Sequence, residues 1–175
     1  MHSKIEDLIV LLSTYNDVQV DFANRRIGGH ALAKGLVQEE IRFMICPELI
    51  VSILLADAME KDDCIVITGA EMYSNYTGYG STYKFTGAKT DELPRDELMR
   101  KMTQIVAMDA LPYTRGRNKY LDQFTAEFIN RDLQKAFIAF NSTNPHAGIA
   151  TGNWGCGAFG GNSQLKVIVI LEHFL

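Results

Sequence analysis

Val18-Gln19-Val20-Asp21-Phe22-Ala23-Asn24-Arg25-Arg26-Ile27-Gly28-Gly29-His30 decides the fold, together with Gln38-Glu39-Glu40-Ile41-Arg42-Phe43 just beyond it. Val18, Val20 and Phe22 alternate with Gln19, Asp21 and Ala23, which predicts a strand. Asp21 and Asn24 then fall at or just past its carboxyl end. Gly28 and Gly29 mark a turn, and the pattern from Ala31 to Phe43 is helical in part. A strand, a glycine turn and a helix begin an α/β layer. The acidic pair Glu39–Glu40 and the polar strand end are thereby gathered at one edge of the sheet.

Outward from this stretch, the same alternation continues. Pro47 suits the first turn of a helix reaching about Lys61, with Leu49, Ile50, Ile53, Leu54 and Ala58 as its apolar stripe. Cys64 to Thr68 is a short β-branched run that predicts a buried strand. Tyr73 to Tyr83 is polar, aromatic and punctuated by glycine, which predicts a loop; Leu93 to Met102 has a weak helical pattern. Ile105 to Met108 predicts a strand. Tyr120 to Phe140 predicts a helix burying Leu121, Phe124, Phe128, Leu133, Phe137 and Phe140. Ile149 to Thr151 predicts a short strand, Gly152 to Gly161 a glycine loop, and Ser163 to Phe174 a last helix. Strands alternating with helices give an α/β fold.

Composition bounds the function. The 175 residues are 47% hydrophobic and 22% charged, ordinary for a globular chain. No apolar run approaches the roughly 20 residues needed to span a bilayer. The net charge of −4 excludes a general electrostatic footprint for nucleic acid. An anionic ligand would have to be held by local backbone N–H groups. Cys46, Cys64 and Cys156 are odd in number and lack CxxC spacing, which argues for a reducing, intracellular setting. His2, His30, His146 and His173 form no metal-binding motif, so no metal is expected.

Two features carry chemistry. In Gly152-Asn153-Trp154-Gly155-Cys156-Gly157-Ala158-Phe159-Gly160-Gly161, five glycines in ten residues lie between a strand and a helix. Such a loop presents backbone N–H groups and a helix N-terminus to a phosphate, with Asn162 or Ser163 as the cap. Read blandly, it is a flexible loop. Glu39 and Glu40 are the second feature; adjacent glutamates are usually solvated helix residues. Helix neighbours diverge by about 100°, so functional glutamates here must take different jobs. One would donate a proton and the other would hold a substrate hydroxyl. Tyr73, Tyr76, Tyr79 and Tyr83 could pack over a base or ribose, or simply pin their loop. Cys156 reads as a small packed residue, Trp154 as an anchor for the glycine loop.

The residues resemble a known family. The runs Val20–Asn24, Gly28-Gly29, Val37–Phe43, Pro47–Ile50, Tyr76–Tyr79, Tyr120–Phe124 and Thr151–Gly161 are similar, in order, to the macrodomain-like catalytic domain of the poly(ADP-ribose) glycohydrolases. The resemblance covers about positions 18 to 171. It implies a three-layer α/β macrodomain with a central mixed sheet flanked by helices. It also implies hydrolysis of ribose–ribose O-glycosidic bonds in poly(ADP-ribose), without metal or cofactor. On that resemblance, Glu40 would protonate the leaving ribose oxygen and then activate water. Glu39 would hold a hydroxyl beside the scissile bond, and Asp21 and Asn24 would position the distal ribose and the acidic pair. Gly28 and Gly29 would bring backbone close to the ligand. Gln38 and Tyr79 would hold the adenosine-diphosphate part. Gly155, Cys156, Gly157 and Ala158 would line the diphosphate, Asn153 would also bind substrate, and Phe159 would pack on the terminal ribose. The implied partners are poly(ADP-ribose) and ADP-ribosylated proteins, in the nucleus or cytoplasm, within the DNA damage response. No membrane and no sequence-specific nucleic acid is implied.

Two departures from the family pattern stand out. His30 occupies the place of a third glycine. The match also implies one domain over residues 1–175 that is incomplete at both ends, lacking an upstream helical region and a final adenine-contacting strand. These departures motivate the alternative of a non-catalytic ADP-ribose-binding module or an inactive shortened homologue.

Overall fold

In the computed structural model, residues 17–114, 118–144 and 146–172 are described. The leading strand is as expected: β1 spans Val18–Asp21. Its flanks in the central sheet are β5 (Gln104–Ala107) and the short β6 (Ile149–Ala150), both parallel to it. β2 (Ile65–Thr68) closes the sheet antiparallel to β5, giving the order β2-β5-β1-β6. The sheet is therefore mixed.

The period-2 alternation of β1 and β5 builds two cores, one on each face. Val18, Val20, Val106 and Met108 pack with Ala136, Ala139, Phe140, Trp154, Val169 and Ile170. These come from α3 (Ala126–Asn141), the glycine loop and α4 (Ser163–Leu171). Ile105 and Ala107 face the other way and pack with Ala23, Ile27, Phe43, Ile45, Leu49 and Met59. Here the covering helix is α1 (Gln38–Ile45). Helices on both faces of a mixed sheet make the expected three layers.

Several elements differ from the sequence reading. The helix expected from Pro47 to Lys61 is a 3-10 turn at Pro47–Leu49 followed by only α2 (Ile50–Leu55). Beyond Leu55 the backbone turns extended so that Met59 can enter the core, with its N–H on the Arg25 carbonyl. Leu54, expected in the buried stripe, is 82% exposed. β2 is an edge strand exposed on alternate residues rather than a buried one.

The supposed loop from Tyr73 to Tyr83 contains β3 (Ser74–Thr77), which pairs antiparallel with an unforeseen β4 (Lys84–Ala88). Neither strand has a fully buried residue, so no apolar alternation betrays them; Tyr76 stacks on Tyr83 instead, centroids 5.6 Å apart. Residues 93–102 form no helix. Asp96 Oδ1 accepts from the N–H groups of Leu98 and Arg100, and these side-chain bonds compete with helical ones.

The long helix breaks at Thr125, with a 3-10 turn Tyr120–Phe124 before α3. Its buried stripe is Asp132, Lys135, Ala136, Ala139 and Phe140, while Leu121, Phe124 and Phe137 are exposed. Two members of this stripe are charged, so hydrophobic periodicity finds Phe140 but not Asp132 or Lys135. Asp132 pairs with Lys166, and Lys135 lies 2.9 Å from Asp109. The expected end of the last helix, at residues 173–174, lies outside the described residues.

Candidate active site

Three consecutive residues of α1 reach back to the chain that follows β1. Gln38 Oε1 accepts from Phe22 N–H at 2.9 Å, and Gln38 Nε2 donates to the Val20 carbonyl at 2.9 Å. Glu39 accepts from Asn24 N–H at 2.8 Å and Gly28 N–H at 2.6 Å. Glu40 accepts from His30 N–H at 3.1 Å and Val37 N–H at 3.0 Å. The bond to Val37 satisfies an orphan donor at the helix start, as an acid in the first turn commonly does. The two glutamates thus hold different stretches of loop while both carboxylates reach the turn at Gly29. Both are buried, Glu39 at 2% and Glu40 at 4% exposure, which overturns the solvated-helix reading.

The turn is shaped to admit them. Gly29 adopts φ +48°, and a methyl group there would lie 2.6 Å from Glu39 Oε2 and 2.7 Å from Glu40 Oε1. Gly35, which the sequence did not single out, plays a similar part: a Cβ would come 2.5 Å from Glu40 Cδ. His30 needs no such licence, since Met99 is the only non-glycine with positive φ among the described residues. Its side chain is exposed at the mouth of the site.

Asp21 ends β1 and is 1% exposed; its Oδ1 has no hydrogen-bond partner among the described residues. Burial pushes its carboxyl up to about 7, with the nearby Arg42 opposing the rise and the charge of Glu40 adding to it. Burial also raises Glu39, reinforced by the charge of Asp21 and opposed by the two backbone N–H bonds. Burial thus holds both Asp21 and Glu39 above the ordinary carboxylate range, next to the buried Glu40.

In front of the glutamates lies a cavity of about 740 Å³. Asn24, Gln38, Glu39, Glu40 and Tyr79 line one side, Asn153, Gly155, Gly157, Ala158 and Phe159 the other. Asp21, Gly28, Gly29 and Cys156 are not among the residues that line it. Cys156 instead directs its thiol to the Trp154 carbonyl, and burial raises that thiol. Phe22, Lys34, Pro112 and Thr114 also line the cavity, unforeseen from sequence because nothing in their local pattern marks them.

The glycine loop is rigidly held. Trp154 is fully buried, its Nε1 donating to the Met108 carbonyl at 2.9 Å, and the Lys166 ammonium sits 4.1 Å from its ring centroid. Tyr113 N–H donates to Phe159 O at 2.7 Å, Thr114 Oγ1 to Ala158 O at 2.8 Å, and Asn162 N–H to the buried Gln123 at 2.6 Å. With those carbonyls engaged, the N–H groups of Gly157, Ala158 and Phe159 take no partner among the described residues. Asn162 caps α4 by accepting from Leu165 N–H. Free N–H groups ahead of a helix N-terminus suit an anion. Among the described residues no cluster of histidine, cysteine and acid could hold a metal ion. No helix among them is long and apolar enough to cross a membrane.

A family model described as poly(ADP-ribose) glycohydrolase (PARG), macro domain fold, matches residues 3–172. Poly(ADP-ribose) glycohydrolase 2 of Caenorhabditis elegans is 42% identical over 166 residues, covering 86% of the chain and 33% of the relative. Poly(ADP-ribose) glycohydrolase 1 of the same organism is 39% identical over 174 residues, 93% of the chain and 22% of the relative. Poly(ADP-ribose) glycohydrolase 1 of Arabidopsis thaliana is 31% identical over 218 residues, 88% of the chain and 40% of the relative. The chain thus spans well under half the length of these relatives.

Proposed function

The chain belongs to the poly(ADP-ribose) glycohydrolase family, of macrodomain fold, and on that premise we propose that it hydrolyses the ribose–ribose bonds of poly(ADP-ribose), releasing ADP-ribose. The observation that carries the reading is the buried trio Asp21, Glu39 and Glu40, set against a cavity whose opposite wall offers unpartnered N–H groups.

Glu40 is the acid: it gives its proton to the leaving ribose oxygen as the glycosidic C–O bond breaks. The oxocarbenium-like centre left behind is stabilised by the neighbouring carboxylate charge. Water then adds to that carbon and returns a proton to Glu40. Glu39, already anchored by Asn24 and Gly28, orients a substrate hydroxyl with the same carboxylate. Asp21 stands behind the pair and tunes the protons it holds. Asn24 reaches the distal ribose, and Gln38, clamped to Val20 and Phe22, keeps the strand end in place beside the adenosine-diphosphate part. Tyr79 closes over that part from the β3–β4 side. Asn153, Gly155, Gly157 and Ala158 bed the diphosphate, with Cys156 packing the loop from behind, and Phe159 stacks on the terminal ribose. The partners are the polymer and proteins that carry it. Three free cysteines support an intracellular site of action, in nucleus or cytoplasm.

Glu40→Gln tests the assignment. Release of ADP-ribose from purified polymer should fall by about a thousandfold, within the range for loss of a general acid. Affinity for free ADP-ribose should survive. Undiminished release by the variant would overturn the role of Glu40.

A further inference from the structure

Three carboxyls and one guanidinium meet where α1 crosses β1. Arg42 lies two residues beyond Glu40, is 7% exposed, and donates through Nη1 to Gln19 Oε1 on β1. Gln19 and Asp21 share a face of that strand, so the guanidinium stands beside Asp21 as well. Two other buried acids have a cation in close contact: Asp132 has Lys166, and Asp109 has Arg131 at 2.7 Å and Lys135 at 2.9 Å, while buried Asp91 is held mainly by backbone N–H groups. Among the described residues, no ion pair of that kind reaches Asp21, Glu39 or Glu40. Their compensation comes from backbone N–H groups and from the nearby charge on Arg42.

We infer that Arg42 is a positioning residue for the reaction: its buried guanidinium is the counter-charge that limits how many protons the Asp21–Glu39–Glu40 group holds. A group loaded with too many protons has no carboxylate to stabilise the developing cation or to take a proton from water. A group with too few has no acid for the leaving oxygen. Arg42 holds the balance by favouring ionised Asp21 without bonding either glutamate.

Other titratable groups face Arg42. Cys46, at the end of α1, is in side-chain contact with it. Across a second cavity of about 490 Å³ lie Asp17, Lys89, Asp91 and Glu92. Asp91 is already served by the N–H groups of Met72 and Leu93 and by Lys101 at 4.0 Å. Arg42 thus acts on Asp21 from one side and faces Cys46 and the acids of this second cavity from the other.

The rate arm of the test rests on the hydrolase reading. In the 175-residue chain, Arg42→Met should move the acidic limb of the kcat–pH profile for ADP-ribose release upward by about 1–2 pH units, the usual effect of a neighbouring opposite charge. Arg42→Lys should return most of that shift, with KM for the polymer little changed. A brace that merely ties α1 to β1 would lower the melting temperature without moving the limb, and that result overturns the inference.

The second arm needs no turnover. Asp21 is raised from its ordinary 3.8 to about 7. The stability it contributes is therefore fully present below its unfolded value and lost as pH rises through about 7. In Arg42→Met that loss should continue to higher pH; a melting-temperature curve parallel to the parent's overturns the inference even in an inactive chain. Should Arg42→Met not fold, Asp21→Asn with Arg42→Met should fold, because cation and anion leave together. A double variant no more stable than the single one overturns the inference. A parent that releases no ADP-ribose contradicts the hydrolase reading, and the stability arm still decides the role of Arg42.

Discussion

At the residue scale, the site depends on side chains that are absent as much as on those present. Gly29 leaves room for both glutamate carboxylates and takes a backbone conformation that side chains rarely adopt. Gly29→Ala should therefore cost about 1–3 kcal/mol of stability, read by urea unfolding. It should also reduce ADP-ribose release at least about tenfold, since the turn must back away from Glu39 and Glu40. Full activity in a folded variant would contradict the account of the turn. The glycine pair and the acidic pair were visible in the sequence, and so was the need for the glutamates to take different jobs. Their burial was not, because a glutamate carries no local mark of where its carboxylate will be solvated. The unpartnered Oδ1 of Asp21 and the closeness of Gly35 to Glu40 are likewise properties of tertiary contact.

At the element scale, hydrophobic periodicity served the central strands and failed on α3. β1, β5 and β6 alternate or run apolar, and the sequence places them to within a residue or two. In α3 the buried stripe passes through Asp132 and Lys135, whose partners Lys166, Asp109 and Asp63 lie far away in sequence. Charged residues look like surface until their partners are known, so the sequence stripe keeps Leu133 and Phe140 but misses Asp132 and Lys135 and wrongly includes Phe137. The same pairing predicts a stability effect. Lys166→Met leaves the buried Asp132 with only Arg131, at 3.2 Å, and should cost about 3 kcal/mol in denaturant unfolding. Adding Asp132→Leu should recover most of that loss; a double variant as unstable as the single one would show that the pair is not what holds α4 against α3.

At the scale of the whole molecule, the site lies at the carboxyl ends of three adjacent parallel strands, where open α/β sheets place their ligands. β1 delivers Phe22 and Asn24, the chain after β5 delivers Ala110 and Pro112, and β6 leads into the glycine loop. The order of those strands could not be read from their sequences, since each pairs across long stretches of chain. The long matching runs compensated: they carried the macrodomain architecture that the family comparison then showed. His30 sits at the cavity mouth, in backbone that does not demand glycine, with its N–H on Glu40. The most direct measurement is release of free ADP-ribose from purified poly(ADP-ribose) by the unaltered 175-residue chain, with ADP-ribose affinity read in the same preparation. Release accompanied by binding is the predicted result. A folded chain that binds ADP-ribose and releases none from the polymer would contradict it.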